Sequence, residues 1–267
     1  MIGLISLIFV VALGIYLQVT APKKKIVPPP QTQIVADILQ QQVVYYKKLS
    51  LTEQERFQKE VIDFLEKVKI TGVGTTVSDE ERILVAASGI IPIFAFPNWK
   101  YPNLNEVLLY PDNFTDGYDF KEKTADHNIM GMVGSGPMNK VMILSKPALH
   151  EGFSNKTDKH NTAIHEFTHL VDKVDGDVDG VPELLIDKTI MQAWLKLMHQ
   201  EIKDIKNNDS DINSYGTTNE AEFFAVASEY FFERPLLLEQ KHPELFAMMT
   251  RIFHQSPTTD SNRNKDN

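Results

Sequence analysis

Two histidines stand four residues apart in "NTAIHEFTHLVDKVDGDVDGVP" (161–182), at His165 and His169, with Glu166 between them. This spacing limits the chain more than any other feature. Only a helix puts residues i and i+4 on one face a turn apart, where two ring nitrogens can reach a common point roughly 2.0 Å from each. Ile164, Phe167, Leu170, Val171 and Val174 can seat that helix in a core while its polar face opens to a cleft. The order His-Glu-Xaa-Xaa-His is that of a zinc site in which both histidines ligate and the glutamate takes a proton from activated water. A solvated helix that merely carries two histidines is the plainer alternative.

The sequence holds no cysteine. That excludes disulfides and thiolate sites and leaves imidazole nitrogen and carboxylate oxygen as the strong ligands for a transition metal. A catalytic zinc needs a third protein ligand and one open position. Asp175 lies at the tenth position after His165, but the pattern that uses that position requires glycine where Asp172 stands. Glu183 follows a Gly-Val-Pro turn rather than standing on a second helix. Glu222 is the better candidate, because it sits among Phe223, Phe224, Ala225, Val226 and Ala227, where an uncompensated carboxylate is costly. Glu229, seven residues on, shares its face and either orients a histidine or makes a structural hydrogen bond. Asp172, Asp175, Asp177 and Asp179 read as a solvated acidic turn, since glycine and glutamate miss their calcium-loop positions. The remaining histidines, at 127, 150, 160, 199, 242 and 254, read as surface or structural residues.

The segment before this site splits by pattern. Thr52 with Glu55 reads as a capping box opening a helix of about 20 residues that runs to Gly72, and Ser78 with Glu81 opens a second through "ERILVAASGI". Short β-favouring runs, "VLLY" and "KVMILS", then predict a small sheet, with "GSGP" (134–137) as a turn rather than a phosphate loop. Helices are expected again over 161–173, 186–206, 219–233 and 235–254. The fold class is therefore α+β: a small mixed sheet, an active-site helix and a helical C-terminal part.

Residues 1–22 contain no charged side chain and would span about 33 Å as a helix, enough for a bilayer core. They predict one N-terminal transmembrane helix in preference to a cleaved signal peptide. Lys23, Lys24 and Lys25 then place the chain in the inner membrane as a single-pass protein with its catalytic part facing the cytoplasm. The expected order is an anchor at 1–22, a Pro/Lys-rich stalk at 23–33, a folded domain at 34–255 and a disordered tail at 256–267. A formal net charge of −9 argues against nucleic acid as a partner.

The pairing of "HEFTHLVD" with "NEAEFFAVASEYFFERP", joined by "GDVDGVP", resembles the Mlc titration factor A family of zinc metallopeptidases. The downstream motif is also similar to the catalytic domain of anthrax lethal factor. The likeness covers roughly residues 51–254 and is dense over 161–235. It implies a zincin-like fold, one zinc ion on His165, His169 and Glu222, Glu166 as the base, and Tyr215, seven residues before the last ligand, as an assisting phenol. It also implies aminopeptidase-like cleavage of short peptide substrates, or alternatively a regulatory protein that sequesters a transcriptional repressor with zinc in a structural role. Two features depart from the family: the apparent anchor, and Thr168 where alanine is usual.

Overall fold

In the computed structural model, residues 26–112, 131–134, 139–154 and 159–258 are described. Helices α1 (Thr32–Gln42), α2 (Val44–Lys48) and α3 (Leu51–Lys67) come first. The cap of α3 is Ser50, which exchanges hydrogen bonds with Glu53, so the box lies two residues before the expected Thr52 and Glu55. Both pairs fit the motif, and tertiary context decides between them. With the helix begun at Ser50, the Gln54 amide reaches the carbonyls of Tyr46 and Leu49 at the end of α2, each at 3.2 Å.

The helix expected to continue to Gly72 stops at Lys67, and Lys69–Gly72 forms strand β1. Beyond it, α4 (Asp79–Ile93) opens on the expected capping box of Ser78 and Glu81. Strands β2 (Glu106–Tyr110), β3 (Gly131–Val133) and β4 (Val141–Ser145) complete a sheet of order β1-β2-β4-β3. The first three strands in that order are parallel, and β3 runs antiparallel to β4 at the edge. This is the small mixed sheet expected, with two strands that the sequence patterns had not marked. Of the "GSGP" turn, residues 135–137 lie outside the described residues, as do 259–267 of the tail.

The helical remainder comprises α5 (Lys146–Ser154), α6 (Thr162–Asp172), α7 (Lys188–Lys206), α8 (Glu220–Glu233), α9 (Pro235–Lys241) and α10 (Pro243–Phe253). The single helix expected over 235–254 is two, because Pro243 brings no N–H and holds His242 at φ −131° and ψ 63°. One large apolar cluster fills the interior. Phe167 on α6 and Phe223, Phe224 and Phe231 on α8 are fully buried within it, which ties the two helices to a common core.

The expectation of one transmembrane helix, and with it the single-pass inner-membrane placement, is withdrawn. Among the described residues no helix is long and apolar enough to cross a membrane. The longest, α7, buries only Ile190, Trp194, Met198 and Ile205 and turns Lys188, Lys196, Lys203 and Lys206 outward. Residues 1–22, on which the expectation rested, lie outside the described residues.

Candidate metal centre

Helix α6 is fixed at its start by Asn161. The Asn161 Oδ1 accepts the Ile164 N–H at 3.1 Å, and its amide nitrogen donates to the Gly152 carbonyl at 3.1 Å and to Glu233 at 2.8 Å. Helix α8 is capped in the same way, the Asn219 Oδ1 accepting the Glu222 N–H at 2.9 Å. Both caps satisfy backbone donors that would otherwise be orphaned at a helix start. The two helices pack side by side, and the histidines of one meet carboxylates of the other.

Along that seam the structure brings three sequence-predicted residues together. His165 Nε2 lies 3.0 Å from Glu222 Oε2 and 3.1 Å from His169 Nε2, and His169 Nε2 lies 3.3 Å from the same Glu222 oxygen. A tetrahedral cation with ligand distances of roughly 2.0–2.2 Å spaces its donors about 3.3–3.6 Å apart. The observed triangle is slightly tighter, and the three side chains could hold a metal ion. Two imidazoles and a carboxylate form a donor set suited to zinc, so the residues present fit the group.

Glu229 lies directly behind the site. Its Oε1 is 2.7 Å from His165 Nδ1, and its Oε2 accepts the Asn161 N–H at 2.7 Å. The two readings of Glu229 therefore hold together: one carboxylate orients the histidine and also braces the start of α6. Burial works to lower the His165 imidazole, but hydrogen bonds that the ring donates to Glu222 and Glu229 outweigh it and hold the ring up at about 10. For Glu222, burial pushes upward and the bonds from His165 and His169 bring the carboxyl down to about 2. The field that favours a proton on this ring is one that also favours a divalent cation, so the two compete for it.

Glu166 is buried beside the cleft, 6% exposed, and burial raises its carboxyl against the opposing pull of His165 and His169. Its side chain lies against the edge strand. A Cβ built on Gly131 would fall 2.7 Å from Glu166 Cγ and 2.8 Å from Oε1, so only glycine leaves the carboxylate its place. Tyr215 sits on a short 3-10 turn, Ser214–Thr217, that Asn213 caps. It is 52% exposed, its ring 6.0 Å from that of His165, and burial followed by the charges of Glu222 and Glu166 pushes its hydroxyl up. The cleft that these groups share has a volume of about 370 Å³ and is closed on one side by β3 and on another by Lys173 and Val178.

The rejected ligands lie elsewhere. Asp175 is exposed and accepts the Asp177 N–H at 3.0 Å, and Glu183 is exposed as well. The acidic turn is solvated apart from Asp172, which is 1% exposed and accepts the Gly180 N–H at 2.9 Å. Gly180 joins three elements. Its carbonyl accepts from Trp194 Nε1 at 2.7 Å, its φ is +74°, and a Cβ there would meet the Glu220 carbonyl oxygen at 2.4 Å. The turn thus ties the end of α6 to the start of α8, two residues before Glu222. Thr168 is fully buried, and its hydroxyl donates to the Ile164 carbonyl at 2.8 Å. Of the other histidines, 150, 160, 199 and 254 are exposed or partly exposed, His242 is ion-paired, and 127 lies outside the described residues.

Sequence patterns gave Glu229 two possible uses and did not mark Gly131, Asn161 or Gly180. Asn161 had a readable signal, an N-cap residue directly before an apolar-periodic run. Gly131 and Gly180 act through close approach to chain remote in sequence, which no local pattern records.

The chain is similar to known proteins over most of its length. The profile of the family described as glucose-regulated metallo-peptidase M90 matches residues 20–254. An uncharacterised protein of Synechocystis is 28% identical over 86% of this chain and 85% of its own length. Mlc titration factor A of Pectobacterium atrosepticum is 26% identical over 80% of each chain. Mlc titration factor A of Escherichia coli is 25% identical over 81% of this chain and 85% of its own length.

Proposed function

The chain belongs to the glucose-regulated metallo-peptidase M90 family, and on that basis we propose that it hydrolyses peptide bonds at a zinc ion held by His165, His169 and Glu222. The observation that carries this reading is the triangle of three donor atoms, each about 3 Å from the others, at the meeting of α6 and α8. A zinc ion bound there supplies a Lewis acid that polarises water and the scissile carbonyl. Three protein ligands, rather than the four of a closed structural site, leave room for substrate.

The chain's own groups have separate tasks. Glu166 accepts the proton of the attacking water and passes it to the leaving amine, from a pocket whose low polarity favours the protonated carboxyl between the two transfers. Tyr215 lines the same cleft and donates its hydroxyl proton in a hydrogen bond to the oxygen that gains charge in the transition state. Glu229 holds the His165 ring in its ligating orientation. Strand β3, the edge of the sheet among the described residues, offers backbone groups on which an extended peptide can lie, with Met132 and Val133 lining the cleft. The small cleft suits short peptides, in line with aminopeptidase-like cleavage.

A second reading has one specific support, the name Mlc titration factor A carried by relatives that match about four fifths of the chain. In it the protein binds a transcriptional regulator, and zinc stabilises the binding surface. Glu166→Gln separates the two. Under the hydrolytic reading the variant keeps its zinc and loses peptide cleavage. Cleavage at the wild-type rate would remove Glu166 from the mechanism, whereas regulator binding by both forms with no cleavage by either would favour the second reading.

A further inference from the structure

We propose that a second cavity, behind α6, is a binding site for a small aryl or alkyl carboxylate. It has a volume of about 280 Å³ and lies between α3, the end of α4 and residues 97–104. That is slightly below the roughly 300–1,000 Å³ usual for small-molecule sites, so the ligand must be compact. Helical spacing puts Phe167 on the side of α6 away from His165 and His169, and the cavity floor rests on Phe167. The rings of Phe64 and Tyr101, both buried in that floor, lie 5.8 and 5.2 Å from the Phe167 ring. The Tyr101 hydroxyl donates to the Gly89 carbonyl at 2.7 Å, which satisfies its polar end and leaves the ring apolar towards the cavity. Trp99 stands edge-on to Tyr101 at 4.7 Å and forms a wall. A preformed floor of aromatic rings favours a flat or branched apolar body.

The mouth sets the charge of the ligand. Arg56 and Glu60 face each other at 4.0 Å, and the guanidinium also lies 3.9 Å over the Phe94 ring, so these two largely offset one another. Of the other charged lining residues, Lys59, Lys67 and Lys100 outnumber Asp63. This local excess of ammonium groups stands on a chain of net charge −9. A carboxylate at the rim with its apolar body on the aromatic floor meets both features, whereas a cation would be repelled.

Trp99 makes the site self-reporting, because the chain's other tryptophan, Trp194, is fully buried in α7. Phenylacetate titrated into the full chain is expected to give a saturable change in Trp99 emission in the millimolar range, and the uncharged phenylacetamide a much weaker one. Lys59 and Lys100 are exposed, so a Lys59→Glu/Lys100→Glu double variant should fold while binding phenylacetate about tenfold or more weakly. Glu222→Ala should bind as the wild type does, since the cavity shares no residue with the metal ligands. The proposal is overturned by any of four outcomes: no saturable change, equal binding of the amide, undiminished binding by the double variant, or loss of the response in Glu222→Ala, which would locate the ligand in the metal cleft. None of these readouts depends on peptide cleavage.

Discussion

At the scale of single residues the candidate metal centre is a set of short contacts whose removal has separable effects. Replacing Glu229 by Gln keeps the bulk but removes the charge behind His165, and such supporting carboxylates are typically worth about 10–100-fold in metal affinity. Chelator competition should register that loss with the circular dichroism spectrum unchanged. Gly131→Ala would push a methyl group into the place of the Glu166 side chain. Its expected signature is retained zinc with kcat reduced and KM little changed, measured on a fluorogenic peptide. Tyr215→Phe should leave zinc in place and lower kcat by about 10²–10³, the usual effect of deleting one transition-state donor. The three residues that meet at this seam were legible in the sequence because His165 and His169 have a local spacing, i to i+4, and because Glu222 is a carboxylate amid phenylalanines. The supporting residues were less so: a glycine's role here depends on what another part of the chain brings against it.

Whole elements were legible where one period dominates, as in α4, α6, α7 and α8, and obscured where two signals overlap. Ser50-Leu-Thr-Glu53 and Thr52-Glu-Gln-Glu55 are both capping boxes by pattern, and only the packing of α2 against α3 chooses the first. Ser50→Ala should therefore destabilise the fold by about 1 kcal/mol while Thr52→Ala changes little, a contrast that urea denaturation resolves. Strand β1 was read as the end of a helix because Val68 and Ile70 continue an apolar pattern that either period accepts over so short a run. Strand β3 has three residues, too few to show alternation. The break between α9 and α10 did have a signal in Pro243, which the apolar spacing across it masks.

Across the whole molecule, segments distant in sequence converge on Asp211. Lys159, Lys241 and His242 reach its carboxylate at 2.7, 2.9 and 2.9 Å, and Tyr230 donates to it at 3.1 Å. On its other side the His242 ring meets Glu201 at 3.1 Å. The bond to Glu201 raises the His242 imidazole, burial opposes it, and Asp211 adds to the rise. Because the folded value lies above the unfolded one, this contribution to stability is complete below the ordinary histidine value of about 6.5 and is lost as pH rises through the raised value. Burial alone would raise Asp211, but its bonds to Lys159, Lys241 and His242 hold it below the usual carboxylate range. Its contribution is present above that range and fades as pH falls through it. The advantage of the wild type over His242→Gln in thermal midpoint should accordingly shrink as pH is raised above the ordinary histidine value. No sequence pattern marks this junction, since its members come from five separate stretches. The general class, helices with a small mixed sheet, was legible from periodicity. The membrane span was inferred from composition over residues outside the described structure, and no described helix supports it.

The central claim is that folding brings Glu222 of α8 to His165 and His169 of α6 so that the three grip one metal ion. Zinc content after dialysis, measured by inductively coupled plasma mass spectrometry on the wild type and on Glu222→Ala, tests it most directly. The expected result is one zinc per wild-type chain and almost none on a variant whose circular dichroism is unchanged. A folded Glu222→Ala chain that keeps zinc with wild-type affinity would contradict it.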